Sequence, residues 1–182
     1  MHRQRLLSLL GAYRPHNAFD AEARDRIERF VREHPDCFER SLAIGHVTGS
    51  AWIVDSSRHR CLLTHHRKLD RWLQLGGHAD GNPDALDVAM REAREESGLR
   101  SLRVVSAQIF DCDVHEIPAR GSEAAHFHHD LRFLLEADPA EPLIVGAESR
   151  ALAWVRLDEI AGRSGDESVQ RLVAKTPGAI VG

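Results

Sequence analysis

The sequence predicts a mixed α/β sandwich, and three observations carry that prediction. Short runs of β-forming residues lie on both sides of one capped central helix, a helical pattern closes the chain, and no internal repeat interrupts the order. Taken in order, residues 4–10 and about 19–34 are helical. In the second of these Asp20 is placed to cap the start, Ala23, Ile27, Phe30 and Val31 recur at helical spacing, and Pro35 ends the run. Residues 1–38 are expected to form a helical extension packed on a domain of residues 39–182, with the seam near 38–41. "LAIGHVTGSAWIVD" and "HRCLLTHHR" then read as strands joined by the turn "SSRH", and "WLQLGG" as a third short strand. Residues 83–97 form the central helix, with Asn82 as N-cap, Pro83 at the first position and Gly98 at the left-handed C-terminal position. "LRVVSAQIFDCDVHEI", "HFHHDLRFLLEAD" and "ALAWVRLDEI" are strand-like, and "DESVQRLVAK" is the last helix.

The bulk numbers bound the function. The 182 residues suit one domain, and 42% apolar with 29% charged residues describes a chain that buries a core. A net charge of −4 without a block of like charge argues against general nucleic-acid or anionic-membrane binding. No segment approaches the roughly 20 apolar residues of a membrane span. The N-terminal run Leu6-Leu7-Ser8-Leu9-Leu10 is shorter than the roughly 7–15 apolar residues of a signal core. Cys37, Cys61 and Cys112 are odd in number and form no C-x-x-C, so they are expected as free thiols in a cytoplasmic protein.

The central helix raises a question of charge. Glu92, Glu95 and Glu96 share one face, where like charges repel by a few tenths of a kcal/mol per pair. One explanation is a solvated acidic face. The other is a site for a hard cation, which takes carboxylate and water oxygens. The glycine pair Gly76-Gly77 before the helix, in a loop whose backbone can approach a ligand closely, favours the second.

Gly77 through Leu99 resembles the Nudix box, G-x5-E-x7-R-E-U-x-E-E-x-G-U with U aliphatic. Gly77, Arg91-Glu92, Ala93, Glu95-Glu96, Gly98 and Leu99 fit in type and spacing. The first glutamate of the motif falls on Pro83, and Asp87 is expected to take over its pairing with Arg91. The resemblance implies a Nudix α/β/α sandwich with a mixed central sheet and extra N-terminal helices. It implies hydrolysis of a small-molecule diphosphate of the nucleoside diphosphate-X type with Mg²⁺ or Mn²⁺. Carried over by position, Glu92, Glu95, Glu96 and the Gly76 carbonyl are metal ligands. Glu148, six residues before Trp154, is a further ligand or the general base.

The twelve histidines are many for this length. Alternation places His126, His128, Asp130 and Arg132 on one strand face, and Asp111, Asp113 and His115 on one face of the preceding strand. If those faces meet they form a substrate or second-metal site, or else a hydrogen-bonded polar face. In the first case Arg132 or Arg120 binds phosphate, with His128 and His78 beside the substrate. His78 also resembles the metal-binding histidine of isopentenyl diphosphate isomerases, but Gly76 stands where those enzymes carry a catalytic cysteine. Non-catalytic Nudix-fold sensors usually lose box carboxylates, and all three are present here. An N-terminal helical arm is compatible with a homodimer.

Overall fold

The computed structural model describes residues 2–121 and 124–178. Helices α1 (Gln4–Ala12) and α2 (Ala18–Glu33) come first, followed by β1 (Gly45–Val54), β2 (Arg60–His66), β3 (Arg71–Leu73) and β4 (Leu75–His78). Helix α3 (Ala85–Ser97) separates these from β5 (Arg103–Val104), β6 (Asp111–Ile117), β7 (His126–Glu136) and β8 (Ser149–Arg156). A 3-10 turn (Leu157–Glu159), α4 (Ile160–Arg163) and α5 (Glu167–Lys175) complete the described chain. The order is α/β, as the patterning predicts. The residues group into two compact units: Met1–Ser50, Gly76–Ala89 and Ser106–Phe133 form one, and Ala51–Leu75, Met90–Val105 and Leu134–Gly182 the other.

In the first unit, α2 packs on β6 and buries Ala23, Ile27, Phe30 and Val31. Its N-cap is Asn17 rather than Asp20: the Asn17 side chain accepts from the Asp20 amide at 3.0 Å. Asp20 sits inside the first turn, fully buried, and accepts from the Tyr13 hydroxyl at 2.8 Å and the His16 amide at 2.8 Å. An acid there satisfies donors N-terminal to the helix, which a cap position would not reach. Strands β6 and β7 pair antiparallel with Asp111 opposite Arg132, Asp113 opposite Asp130, His115 opposite His128 and Ile117 opposite His126. Strand β4 pairs with β1. A Cβ at Gly76 would stand 2.7 Å from the Ser50 Cα, so this close backbone approach requires glycine.

The second unit is built on β2, which pairs antiparallel with β3 and β8 and, at Val54–Cys61, with the end of β1. The β2–β8 ladder slips between His65 and His66: Ala151 faces His65 and Ser149 faces His66, so Arg150 is an extra residue on β8. The Trp52 indole donates to the Thr176 hydroxyl at 2.8 Å just past α5.

Three expectations are corrected. The run 72–77 is two strands, β3 and β4, broken at Gln74. The run 102–117 is also two, β5 (Arg103–Val104) and β6 (Asp111–Ile117), each paired antiparallel with β7, with residues 105–110 outside either ladder. Helix α3 begins at Ala85, not 83. The Asp84 carbonyl accepts from the Val88 amide at 3.0 Å and its side chain from the Asp87 amide at 3.4 Å, while Asn82 accepts from the Asp84 amide at 3.0 Å. Asp84 is therefore the cap, and Pro83 precedes the helix. Gly98 has the expected positive φ, 73°.

Candidate functional site

Within the second unit, the last turns of α3 carry Glu92, Glu95 and Glu96. Arg91 Nη1 lies 2.8 Å from Glu92 Oε1 and 3.6 Å from Glu95 Oε2. One guanidinium between two carboxylates offsets the like-charge repulsion that the sequence raises. The Glu92 side chain is 15% exposed and that of Glu95 61%. Glu96 is half-buried.

The chain returns to this helix at residues 144–149. The Ile144 amide donates to the Ser97 carbonyl at 2.8 Å, and a Cβ at Gly146 would lie 3.8 Å from the Glu96 carbonyl oxygen. Glu148, exposed, follows two residues later. Arg67, just past β2, grips the same segment: its amide donates to the Glu148 carbonyl at 2.8 Å, its Nε to the Ala147 carbonyl at 3.0 Å and its Nη2 to the Ser149 carbonyl at 2.9 Å. The loop bearing Glu148 is thus fixed on the helix that carries the three box carboxylates. The sequence gives no signal for Arg67, because its partners are backbone carbonyls far along the chain.

The strand faces of the first unit meet, and they form two chemical layers. The inner layer centres on Arg132, 1% exposed. Its Nε lies 2.9 Å from Asp130, its Nη1 3.2 Å from Asp111 and its Nη2 3.1 Å from Asp113. Asp130 also accepts from Thr48 Oγ1 at 2.9 Å and Ser50 Oγ at 2.8 Å. Burial opposes the guanidinium charge, but the three carboxylates outweigh it and raise its pKa. Arg132 is therefore corrected from a phosphate ligand to a buried structural cation, since its donor edge faces aspartates. Arg120 is exposed, on the segment after β6.

The outer layer is a set of imidazoles. His46 on β1, His78 at the end of β4 and His128 on β7 have ring centroids 4.9–5.1 Å apart. His126 lies 5.1 Å from His46, and His115 5.5 Å from His128. His46 escapes a reading by sequence because a lone histidine in an apolar strand resembles core; only the strand pairing brings it to His78 and His128. Burial first, then neighbouring positive or titratable groups, lowers His46 to about 4, His128 to about 2 and His129 to about 3. His129 stacks on Phe30 with ring centroids 3.8 Å apart.

These shifts fix the sign of the acid response. Each folded pKa lies below the unfolded value of 6.5, so the unfolded chain takes up protons first as pH falls. The stabilising contribution is complete above that value and is lost towards pH 4, by about 1.4 kcal/mol per pH unit for each such histidine. Urea unfolding of chelator-treated protein at stepped pH should show the midpoint dropping across this window. A flat midpoint would contradict neutral burial.

The cysteines are all buried, so none offers an exposed nucleophile of the isomerase kind. Among the described residues, no helix is long and apolar enough to cross a membrane.

Comparison with known proteins identifies the family of the fold. The family model described as NUDIX domain matches residues 46–175. No curated protein matches the chain. Among solved structures, a C. elegans Ap4A hydrolase binary complex superposes with TM-score 0.57 at 16% identity, over 71% of this chain and 93% of that one. A MutT NUDIX hydrolase from Burkholderia pseudomallei gives 0.56 at 22% identity, over 72% and 97%. The E. coli dihydroneopterin triphosphate pyrophosphohydrolase gives 0.53 at 17% identity, over 71% and 92%. Helices α1 and α2 precede the matched residues.

Proposed function

This chain belongs to the NUDIX family, with the α/β/α sandwich of that family, and from that premise we infer a divalent-metal-dependent enzyme acting on a small diphosphate. As a Nudix hydrolase it acts on phosphoanhydride bonds. One observation carries the finer reading: the loop of Glu148 is docked on the helix that bears Glu92, Glu95 and Glu96.

The donor set fits a hard cation. Glu92, Glu95, Glu96 and Glu148 offer only oxygens; Mg²⁺ or Mn²⁺ takes such ligands together with water and substrate phosphate oxygens. When bound, the ion neutralises phosphate charge and makes water more acidic. The chain's own residues do the rest. Arg91 keeps Glu92 and Glu95 paired with a fixed cation, which orients them. Glu148 removes the proton of the attacking water, and Arg67 holds its loop in place. The enzyme works in the cytoplasm, with residues 1–38 as an extension to the catalytic domain of residues 39–182.

A panel of nucleoside triphosphates, nucleotide sugars, dinucleoside polyphosphates and non-nucleotide diphosphates, each with Mg²⁺ and Mn²⁺, tests the reading. At least one should release phosphate or nucleotide, and release from none would overturn it. On that substrate Glu148→Gln should lower kcat by about 10²–10⁴-fold with KM little changed, the usual contribution of a general base. Unchanged kcat would move the base elsewhere.

A further inference from the structure

We propose that His46, His78 and His128 are ligands of a transition-metal site, suited to Zn²⁺ or a similar borderline ion and distinct in its ligands from the box carboxylates. One ring nitrogen from each histidine lies within 4.8 Å of those of the other two. A Zn–N bond of about 2.0–2.1 Å in tetrahedral geometry puts ligand nitrogens about 3.4 Å apart. Closure of little more than an ångström, within reach of small side-chain rotations, completes the triad.

A second observation points to a ligand. Both ring nitrogens of His46 and Nε2 of His128 are buried and have no hydrogen-bond partner among the described residues. Buried polar atoms are normally satisfied, and a lone pair aimed at a cation satisfies an imidazole nitrogen.

The surroundings are those of a supported site. His126 Nδ1 lies 2.9 Å from the Ala124 carbonyl oxygen, and His115 Nδ1 lies 2.9 Å from Asp113 Oδ2. An imidazole that donates from Nδ1 to a carbonyl or carboxylate keeps its Nε2 lone pair available, which is how ligating histidines are commonly oriented. These two rings border the triad and supply a fourth ligand or its enclosing wall. The donor type selects the ion: imidazole suits Zn, Cu, Fe and Ni, whereas Mg²⁺ takes oxygen.

Arg40 competes for the same site. Its Nη2 donates to His78 Nδ1 at 2.9 Å, while its Nε and Nη2 bond Asp80 at 2.7 and 3.2 Å. The exposed guanidinium can stay with Asp80 and release His78 when a metal enters.

The test uses the full chain, stripped with chelator and held in millimolar Mg²⁺ to saturate carboxylate sites. Zn²⁺ affinity is read by competition with a chromophoric chelator, and Co²⁺ substitution reports the donor type from its visible spectrum. Wild type should retain one Zn²⁺ per chain and give an imidazole-type Co²⁺ spectrum. His46→Asn or His128→Asn should weaken Zn²⁺ by at least about 100-fold, the upper range for even a supporting partner. Arg40→Gln should tighten it, and Glu96→Gln should leave it unchanged. No Zn²⁺ retention in Mg²⁺, equal affinity in the histidine variants, or loss in Glu96→Gln would overturn the proposal. If those variants fail to fold, His78→Gln makes the same test. None of these readouts requires turnover, so the site stands or falls separately from the hydrolytic reading.

Discussion

Glu96→Gln is expected to lower kcat by about 10³-fold or more while leaving the fold intact. Removing one preorganised charge at a reacting phosphate commonly costs on the order of 10²–10³, and here the lost carboxylate is also an expected ion ligand. The amide keeps the size and most of the helix propensity of the acid. It also removes one member of a like-charged set, so the thermal midpoint should hold or rise slightly. Steady-state kinetics on the substrate found in the panel, beside a circular-dichroism melt, separates the two effects. Full activity in the variant would refute the assignment of the box carboxylates.

The largest loss of stability is expected from Arg132→Met. The substitution keeps bulk but leaves Asp111, Asp113 and Asp130 buried without their shared cation. Removing one partner from a buried ionic cluster typically costs about 3–5 kcal/mol. The sign with pH is specific. Carboxylates stranded in that way have raised folded pKa values, so their stability is retained at low pH and lost as pH rises. The stability gap between variant and wild type, measured by urea unfolding, should therefore be widest near neutrality and narrow in acid. A variant as stable as wild type at pH 7 would show that the cluster contributes little.

How far the sequence reveals this protein depends on the range of the interactions involved. The box helix was legible because its chemistry is local: Arg91 pairs with Glu92 and Glu95 within two turns. The matching of β6 and β7 faces was legible from two-residue alternation, and the register confirms it. Arg132 was misread because strand periodicity gives a face, not what lies opposite; three aspartates from two strands were needed to show that its donors are spent internally. The start of α3 was misplaced because Asn82 and Asp84 are both good caps, and hydrogen bonding by Asp84 decides between them. His46 was missed altogether, since its neighbours His78 and His128 are distant in sequence.

The slip in the β2–β8 ladder has a consequence for side-chain parity. Glu148 and Trp154 are an even number of residues apart, which in an unbroken strand would aim them at the same face. The extra residue Arg150 reverses that phase before the chain reaches the loop. The placing of Ser149, where the turn that carries Glu148 enters β8, is thus set by a length, the count of residues in the bulge. A substitution at Arg150 preserves that count, whereas its deletion would make the ladder regular and shift the point where the Glu148 turn enters the strand. Chain length at this point is a determinant of the β2–β8 register that the box motif does not contain.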